Sequence, residues 1–223
     1  MRKKTVFSPA DLPPGPWVGL LDKACKLIDE LKKHAGIADP FWTLGGGTVL
    51  MFRYRHRKSK DIDVFVPDPQ YLGYVNPRLS DAAAEISTDY VEAAGYVKLI
   101  RPEGEIDFVA ATNLTPDPFE WWQLNGKEIR VETAAEIVAK KLWYRGHSAT
   151  ARDLFDLAVV IEKDPGRLLT AREYLIRHKN EFLEQLYRRE NILKVQFEAI
   201  DMLDQKISFE EARECSERFL EAC

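Results

Sequence analysis

The clearest chemical signal in the sequence is a pair of aspartates separated by one residue, Asp61-Ile62-Asp63. The apolar, partly β-branched residues that follow predict a strand over 61–66. Side chains two positions apart on a strand share a face, so the two carboxylates would lie close together. Adjacent negative charges are costly unless a cation neutralises them, and Mg²⁺ prefers oxygen ligands, so this pair is a candidate metal site. The alternative is two ordinary aspartates at a solvent-facing strand end.

A glycine-rich segment precedes this pair. Gly46-Gly47-Thr48 follows a predicted strand over 41–44 and opens a predicted helix. Glycine lets a backbone approach an anion closely, and the amides and dipole at a helix start favour phosphate. The segment matches neither the P-loop nor the dinucleotide-binding pattern, so a structural turn explains it equally well.

A third carboxylate follows on a predicted hairpin formed by residues 96–101 and 105–112. Alternation places Glu105 and Asp107 on one face of the second arm. Asp107 is the preferred candidate, because Glu105 lies beside the turn. A carboxylate from a neighbouring strand would complete a two-metal site of the kind that stabilises attacking and leaving oxygens.

The pattern changes to helices after residue 132. Hydrophobic spacing and the capping signals Thr133-x-x-Glu136, Thr170-x-x-Glu173 and Ser208-x-x-Glu211 predict helices over 133–146, 150–162, 170–187, 190–205 and 208–221. A further helix is expected over 78–94 and a strand over 127–131. The predicted fold class is therefore α+β, with one domain over 1–132 and an all-helical domain over 133–223.

The helical part offers a second group of polar candidates. Lys141 lies at the edge of the apolar face of its helix, from which it can direct its ammonium at a phosphate. Lys140 points about 100° away and is expected to be solvated. Thr150-x-x-Asp153 is typical of a helix cap, but Asp153 could instead orient Lys141 or contact the nucleotide. Asp156 is a weaker candidate.

Two further segments have open interpretations. The basic run Arg53–Lys60, which includes Arg57, is either a solvated loop or a phosphate contact. Ser59 would share the face of Asp61 on an extended chain and could bond phosphate. Trp121 and Trp122 could stack a base, although packing in a core is the favoured interpretation.

Composition limits the classes of protein. With 32 basic and 36 acidic residues the net charge is -4, which excludes nucleic-acid binding by bulk charge but allows local basic patches. Three scattered cysteines and four isolated histidines argue against a disulfide framework, a zinc site and Ser-His-Asp catalysis. No apolar run is long enough to cross a membrane, and the first residues lack the features of a signal peptide, so we expect a cytoplasmic protein without membrane partners.

Taken in order, these motifs resemble the signature of the nucleotidyltransferase superfamily. That signature begins with a hydrophobic residue followed by two small residues. After an interval it continues with an aspartate, a hydrophobic residue and a second aspartate or glutamate, and a further carboxylate follows later in the chain. Leu44–Gly47 supplies the glycines, residues 48–60 the interval, Asp61–Val64 the aspartate pair and Asp107 the third carboxylate. More narrowly, GGGTVLMFRYRHRKSKDIDVFV resembles the AbiEii/AbiGii (MenT-type) toxin nucleotidyltransferases. The later segments Glu136–Leu142 and Arg152–Leu157 extend this resemblance over about residues 41–160.

The resemblance implies a nucleotidyltransferase-like mixed sheet with flanking helices, followed by a helical, substrate-binding bundle. It implies transfer of a nucleoside monophosphate from an NTP to an acceptor hydroxyl, with a tRNA 3′ end as the expected acceptor and a separately encoded antitoxin as partner. Two Mg²⁺ ions, with Mn²⁺ as an alternative, would bind Asp61, Asp63 and Asp107. The implied nucleotide ligands are Gly46, Gly47, Thr48, Arg57, Ser59 and Lys141, and Lys141 and Asp153 join the three aspartates as catalytic residues.

Two other functions are compatible with the same sequence features. The same site could modify a protein or a small molecule such as an aminoglycoside. Alternatively, the fold could serve a nucleotide-binding regulator that does not turn over.

Overall fold

A computed structural model describes residues 4–7 and 11–223. These residues form two compact units. Unit 1 comprises the described residues up to Val49, then Ser59–Asn113 and Phe119–Glu132. Unit 2 comprises Leu50–Lys58, Leu114–Pro118 and Thr133–Cys223, so two short segments that precede residue 133 belong to it.

Unit 1 is built on a mixed sheet, which has eight strands among the described residues. They are β1 (Lys4–Phe7), β2 (Thr43–Gly45), β3 (Ile62–Val66), β4 (Tyr90–Ala93), β5 (Tyr96–Arg101), β6 (Gly104–Ala110), β7 (Phe119–Leu124) and β8 (Lys127–Glu132). Their spatial order is β1-β7-β8-β2-β3-β6-β5-β4. At the centre, β3 runs parallel to β6 and antiparallel to β2.

The central strands bury one face of this sheet. On β3, Ile62 and Val64 are fully buried, and Phe108 is their counterpart on β6. Helix α1 (Trp17–Ala35) packs on these two strands and ends at Gly36, whose φ of 67° is left-handed, as is common for a glycine at a helix end. Since strand side chains alternate, the polar residues of β3 and β6 lie on the opposite face.

The predicted helix over 78–94 is wrong. The helix there, α3 (Asp81–Ile86), begins at its cap Ser80 and ends before the chain forms β4. A 3₁₀ helix (Pro69–Val75) precedes α3. The β-hairpin with β5 gives residues 90–93 their hydrogen bonds, a tertiary preference that outweighs the local pattern.

Strand β7 was not predicted. Trp122 on β7 is 3% exposed and belongs to the core, which agrees with the packing interpretation. Trp121 points to the other face, where the Arg130 guanidinium lies 4.7 Å from its ring centroid. The tryptophan pair is therefore explained by packing on both faces of the strand.

Unit 2 is helical. Helix α2 (Gly46–Tyr54) is shared between the units: its first turn belongs to unit 1, and its remainder, from Leu50, belongs to unit 2. Its other helices are α4 (Ala134–Arg145), α5 (Ala151–Lys163), α6 (Pro165–Leu169), α7 (Arg172–Leu175), α8 (Lys179–Arg188), α9 (Glu190–Glu198) and α10 (Phe209–Ala222), with a 3₁₀ turn at Gly146–Ser148. As the sequence predicts, Thr133, Thr150 and Ser208 cap α4, α5 and α10.

Two predicted helices of unit 2 have different bounds. The single helix expected over 170–187 is wrong, because the helical conformation is interrupted between α7 and α8. The Thr170 hydroxyl donates back to the carbonyl of Arg167 instead of capping a new helix. The helix expected over 190–205 ends at Glu198. Within the described part of the chain, no helix combines the length and apolar character needed to cross a membrane.

Candidate active site

Two of the predicted carboxylates lie side by side on the polar face of the unit 1 sheet. Asp63 on β3 is the register partner of Asp107 on the parallel strand β6. Paired residues on neighbouring strands share a face, and the strands are about 4.8 Å apart. The structure thus brings together an aspartate from the D-x-D segment and the distal aspartate, 44 residues apart in the chain.

Asp61 is fixed to the same pair of strands. It directly precedes β3, and its Oδ1 accepts a hydrogen bond of 2.9 Å from the backbone N–H of Glu105. Glu105 is two residues before Asp107, so this bond holds Asp61 beside the start of the second carboxylate strand. One of its oxygens is thereby used to align β3 with β6.

The glycines let the backbone approach these acids. Gly46 has a φ of 73°, and a Cβ at this position would overlap the carboxylate of Asp63. A Cβ on Gly45 would lie 2.7 Å from the Phe65 ring and would overlap the buried carboxylate of Glu132. Both glycines are therefore required by close packing, and Gly46 also by its backbone conformation.

We expect Gly46→Ala to destabilise the protein by about 3 kcal/mol, since left-handed strain and overlap with Asp63 act together. Gly126→Ala is the matched control: its φ is 74°, but a Cβ there meets nothing within 4 Å, so only the strain of about 1 kcal/mol applies. Urea unfolding of both variants measures the difference. Equal losses would show that the Asp63 carboxylate is not packed against Gly46.

Thr48 and Ser59 join the glycine turn to the aspartate pair. The fully buried Thr48 hydroxyl donates to the carbonyl of Asp61 at 2.6 Å and lies 3.0 Å from the Ser59 hydroxyl. Thr48 therefore ties the first turn of α2 to the residue that precedes β3. Gly47, in the same turn, and Ser59 are both half-buried.

One carboxyl of the Asp63–Asp107 pair has a strongly raised pKa. Burial, together with the neighbouring charge of Asp63, raises the pKa of Asp107 to about 7, although Lys98 opposes the shift. Oδ1 of Asp107 is buried and has no hydrogen-bond partner among the described residues. An unpaired, hard carboxylate oxygen beside a second carboxylate is suited to a divalent cation.

A complete ligand set is not preformed. Across residues 4–7 and 11–223, no three His, Cys, Asp or Glu side chains are grouped so that they could hold a metal ion. Two of the carboxylate oxygens have protein partners: Oδ1 of Asp61 is bound to the Glu105 amide, and Oδ2 of Asp107 lies 3.4 Å from the ammonium of Lys98. The donor chemistry fits a cation, and one oxygen of each of these two carboxylates already has a protein partner.

Unit 2 contains a buried ionic cluster around Asp156. Its Oδ1 accepts hydrogen bonds from His56 Nε2 at 2.8 Å and Arg57 Nε at 2.7 Å, and its Oδ2 binds Arg57 Nη2 at 2.9 Å and the ammonium of Lys141. Burial alone would raise the pKa of this carboxyl. Arg57, Lys141 and His56 outweigh burial and hold the pKa of Asp156 well below its usual range.

Asp153 extends this cluster and has two roles. Its Oδ2 accepts hydrogen bonds from the backbone N–H and the hydroxyl of Thr150, which completes a capping box on α5. Its Oδ1 binds Lys141 Nζ at 2.9 Å and also Arg145. Burial opposes its charge, but Lys141 and Arg145 lower the pKa of Asp153 to about 2. Within unit 2, this one carboxylate both caps α5 and orients Lys141.

The prediction that Lys140 is solvated is wrong. Its side chain is 4% exposed and forms a 3.4 Å ion pair with the buried Glu136. Glu136 in turn accepts hydrogen bonds from the amides of Leu114 and Thr115. Helix α4 is buried on more than one side, so the periodicity of its apolar residues does not identify its exposed positions.

Three residues of the basic run pair with acids of unit 2, although the side chains of Arg55 and Lys58 are more than half exposed. Arg55 pairs with Asp204 at 2.8 Å and Lys58 with Asp201 at 2.8 Å. Arg57 is 4% exposed, and Asp156 holds its guanidinium. The run therefore anchors residues 55–58 within unit 2. His56 was missed, because its partner lies 100 residues away and no local pattern marks it.

A glycine turn packed against the Asp-x-Asp segment, with a third aspartate on the adjacent parallel strand, is the arrangement expected from the nucleotidyltransferase signature. The family model for the nucleotidyl transferase AbiEii toxin of type IV toxin–antitoxin systems matches residues 32–221. The chain belongs to this family, and its substrate is accordingly an NTP. A search of curated proteins found no match.

Solved structures agree on the fold. An H. pylori protein that was provisionally assigned as a nucleotidyltransferase is 18% identical, with a TM-score of 0.50 over 92% of this chain and 94% of that one. MenT4, the nucleotidyltransferase toxin Rv2826c from Mycobacterium tuberculosis H37Rv, is 15% identical, with a TM-score of 0.50 over 90% of this chain and 82% of that one. At this identity the likeness concerns the fold alone.

Proposed function

We propose that the protein transfers a nucleoside monophosphate from an NTP to the 3′ hydroxyl of a tRNA, in a reaction that requires divalent metal and releases pyrophosphate. The observation that carries this proposal is the side-by-side placement of Asp63 and Asp107 against Gly46. We place the reaction in the cytoplasm, where both substrates are found. A separately encoded antitoxin would restrain it, as the toxin–antitoxin family indicates.

Asp61, Asp63 and Asp107 would hold Mg²⁺, with Mn²⁺ as an alternative. Bound cations of this kind neutralise charge on the attacking and leaving oxygens of a phosphoryl transfer. The protein's own contribution is positional: Gly46 lets the Asp63 carboxylate lie against the backbone, and the Glu105 amide fixes Asp61. The amides of Gly46 and Gly47, at the start of α2, would bind phosphate together with Ser59.

In unit 2, Lys141 is the proposed phosphate ligand and Asp153 the residue that positions it. The 2.9 Å bond between them supports the second assignment. We assign Arg57 a positioning role instead of a direct phosphate contact, because both oxygens of Asp156 hold its guanidinium and its side chain is only 5% exposed. The Lys141 ammonium also binds Asp153 and Asp156, but these contacts use two of its three N–H donors. Thr48 has a similar positioning role toward Asp61.

Exposed basic residues of unit 2, including Arg152, Arg172 and Arg177, support RNA as the acceptor. If about three phosphates are neutralised, tRNA affinity should fall at least about tenfold between roughly 50 and 200 mM salt, because binding releases counterions. Fluorescence anisotropy with labelled tRNA measures this slope. An affinity that does not change with salt would remove the charge-based support for RNA.

An acceptor screen tests the proposed substrate. The full-length protein is incubated with each α-³²P-labelled NTP and, separately, total tRNA, a protein extract or an aminoglycoside. We expect label to enter tRNA at its 3′ end and expect Asp63→Asn to prevent this. Label that enters only protein or the aminoglycoside would replace tRNA as the acceptor, and an inactive wild type would favour a nucleotide-binding regulator.

A further inference from the structure

Lys98 lies in the same row of side chains as the two paired aspartates. Strand β5 pairs antiparallel with β6, and Lys98 is the register partner of Asp107. The adjacent positions on β2, β3, β6 and β5 are therefore Gly45, Asp63, Asp107 and Lys98. The ammonium of Lys98 lies 3.4 Å from Asp107 Oδ2 and also contacts the carboxylate of Glu105.

The position of Lys98 matters because the neighbouring carboxylates of Asp63 and Asp107 repel each other. Asp63 and Asp107 are neighbours on a sheet face where Asp107 is only 16% exposed, so water screens their repulsion poorly. Lys98 is 30% exposed, and although burial opposes its charge, Glu105 and Asp107 raise its pKa. It is therefore an ammonium at neutral pH and offsets part of the repulsion.

Glu105 gives this ammonium a second partner. The Lys98–Glu105 contact exists alongside the Lys98–Asp107 contact, and Glu105 is more exposed than Asp107. The lysine can thus lose Asp107 without losing its ion pair. Another cation could therefore replace Lys98 at Asp107, and the lysine would still be paired with Glu105.

We propose that Lys98 is a resident counter-ion of the Asp63–Asp107 pair, which positions the Asp107 carboxylate in the metal-free protein and competes with a divalent cation for it. This inference rests on the proposed metal-dependent function. When the cation binds, Lys98 would remain with Glu105. Lys98 is accordingly a positioning residue that sets the metal affinity, not a catalytic residue.

Metal affinity tests the competition. Mn²⁺ is titrated calorimetrically into the full-length wild type, Lys98→Met, Lys98→Arg and Lys127→Met. We expect Lys98→Met to bind Mn²⁺ about tenfold more tightly, because a nearby positive charge has been removed. Lys98→Arg should stay within about twofold of wild type. Lys127, on β8 and outside the row, forms a comparable pair with Asp22 on α1, so Lys127→Met should bind Mn²⁺ as wild type does.

An unchanged or weaker affinity in Lys98→Met would overturn the inference while leaving metal binding intact. Asp63→Asn separates this outcome from failure of the proposed function. If wild type and Asp63→Asn bind Mn²⁺ equally, the cation does not bind at the aspartates, and both the metal site and the competition are wrong.

Thermal unfolding without metal tests the positioning role independently of any cation. Lys98→Met should lower the Tm by a few degrees in the wild-type background, because Asp107 loses its counter-ion. It should lower the Tm much less in the Asp107→Asn background, where only the more exposed Glu105 carboxylate still pairs with Lys98. Equal losses in the two backgrounds would show that Lys98 and Asp107 are not coupled and would overturn the inference.

Discussion

Asp63→Asn and Asp107→Asn should each reduce nucleotidyl transfer by about 1,000-fold or more and yet leave the metal-free protein at least as stable as wild type. The loss of activity follows because several kcal/mol of charge stabilisation in the transition state depend on these carboxylates. The stability follows from their placement, since two neighbouring carboxylates repel each other when no cation is present. Transfer is measured with labelled NTP, and unfolding by urea in a chelating buffer.

The gain in stability of Asp107→Asn should depend on pH. The folded pKa of Asp107 is about 7, raised from the ordinary value near 3.9. Between these values the unfolded chain ionises this carboxyl while the folded protein holds its proton, so wild type loses stability as pH rises from about 4 to about 7. Asn does not titrate, so the advantage of the variant should grow over that range and level off above it. An advantage that shrinks as pH rises would contradict the raised pKa.

Asp156→Asn should be the most destabilising of the single charge-removing changes in unit 2, with a loss of about 3–5 kcal/mol. The carboxylate is fully buried and binds Arg57, Lys141 and His56. Removal of its charge leaves the buried Arg57 without its carboxylate partner and leaves Lys141 with only Asp153. The free energy of unfolding from urea titration measures the loss.

Asp204→Asn is the control for this prediction. Asp204 also pairs with an arginine of the basic run, Arg55, but both side chains are more than half exposed. Exposed pairs contribute little, so the loss should be below about 1 kcal/mol. Similar losses for Asp156→Asn and Asp204→Asn would mean that the buried cluster does not stabilise unit 2.

The sequence predicts the central part of the candidate site because that part depends on short-range periodicity. Alternation on β3 and β6 places Asp63 and Asp107 on polar faces, and the glycine signal locates the turn before α2. The sequence does not predict those parts of the site that depend on pairing between strands distant in the chain. The Asp61–Glu105 bond and the place of Lys98 follow from the registers of β3, β6 and β5, which no local pattern specifies.

Contacts with distant residues also determine the segments whose predicted structure or exposure is wrong. Residues 90–93 form a strand because β5 is available to pair with them, not because of their own propensity. Lys140 is buried because its partner Glu136, one helical turn earlier, is also buried and is held by the Leu114 amide. The contacts of Asp156 join residues separated by about a hundred positions, so its importance is visible only in the folded chain.

Pyrophosphate release reports directly on whether the paired aspartates form the catalytic centre. The full-length protein is given each of the four NTPs with tRNA and Mg²⁺, alongside Asp63→Asn under the same conditions. The proposed site predicts that wild type releases pyrophosphate from at least one NTP, in proportion to label gained by tRNA, and that Asp63→Asn does not. Equal release by the two proteins, or none by wild type with any NTP, would contradict the assignment of Asp61, Asp63 and Asp107 as the catalytic centre.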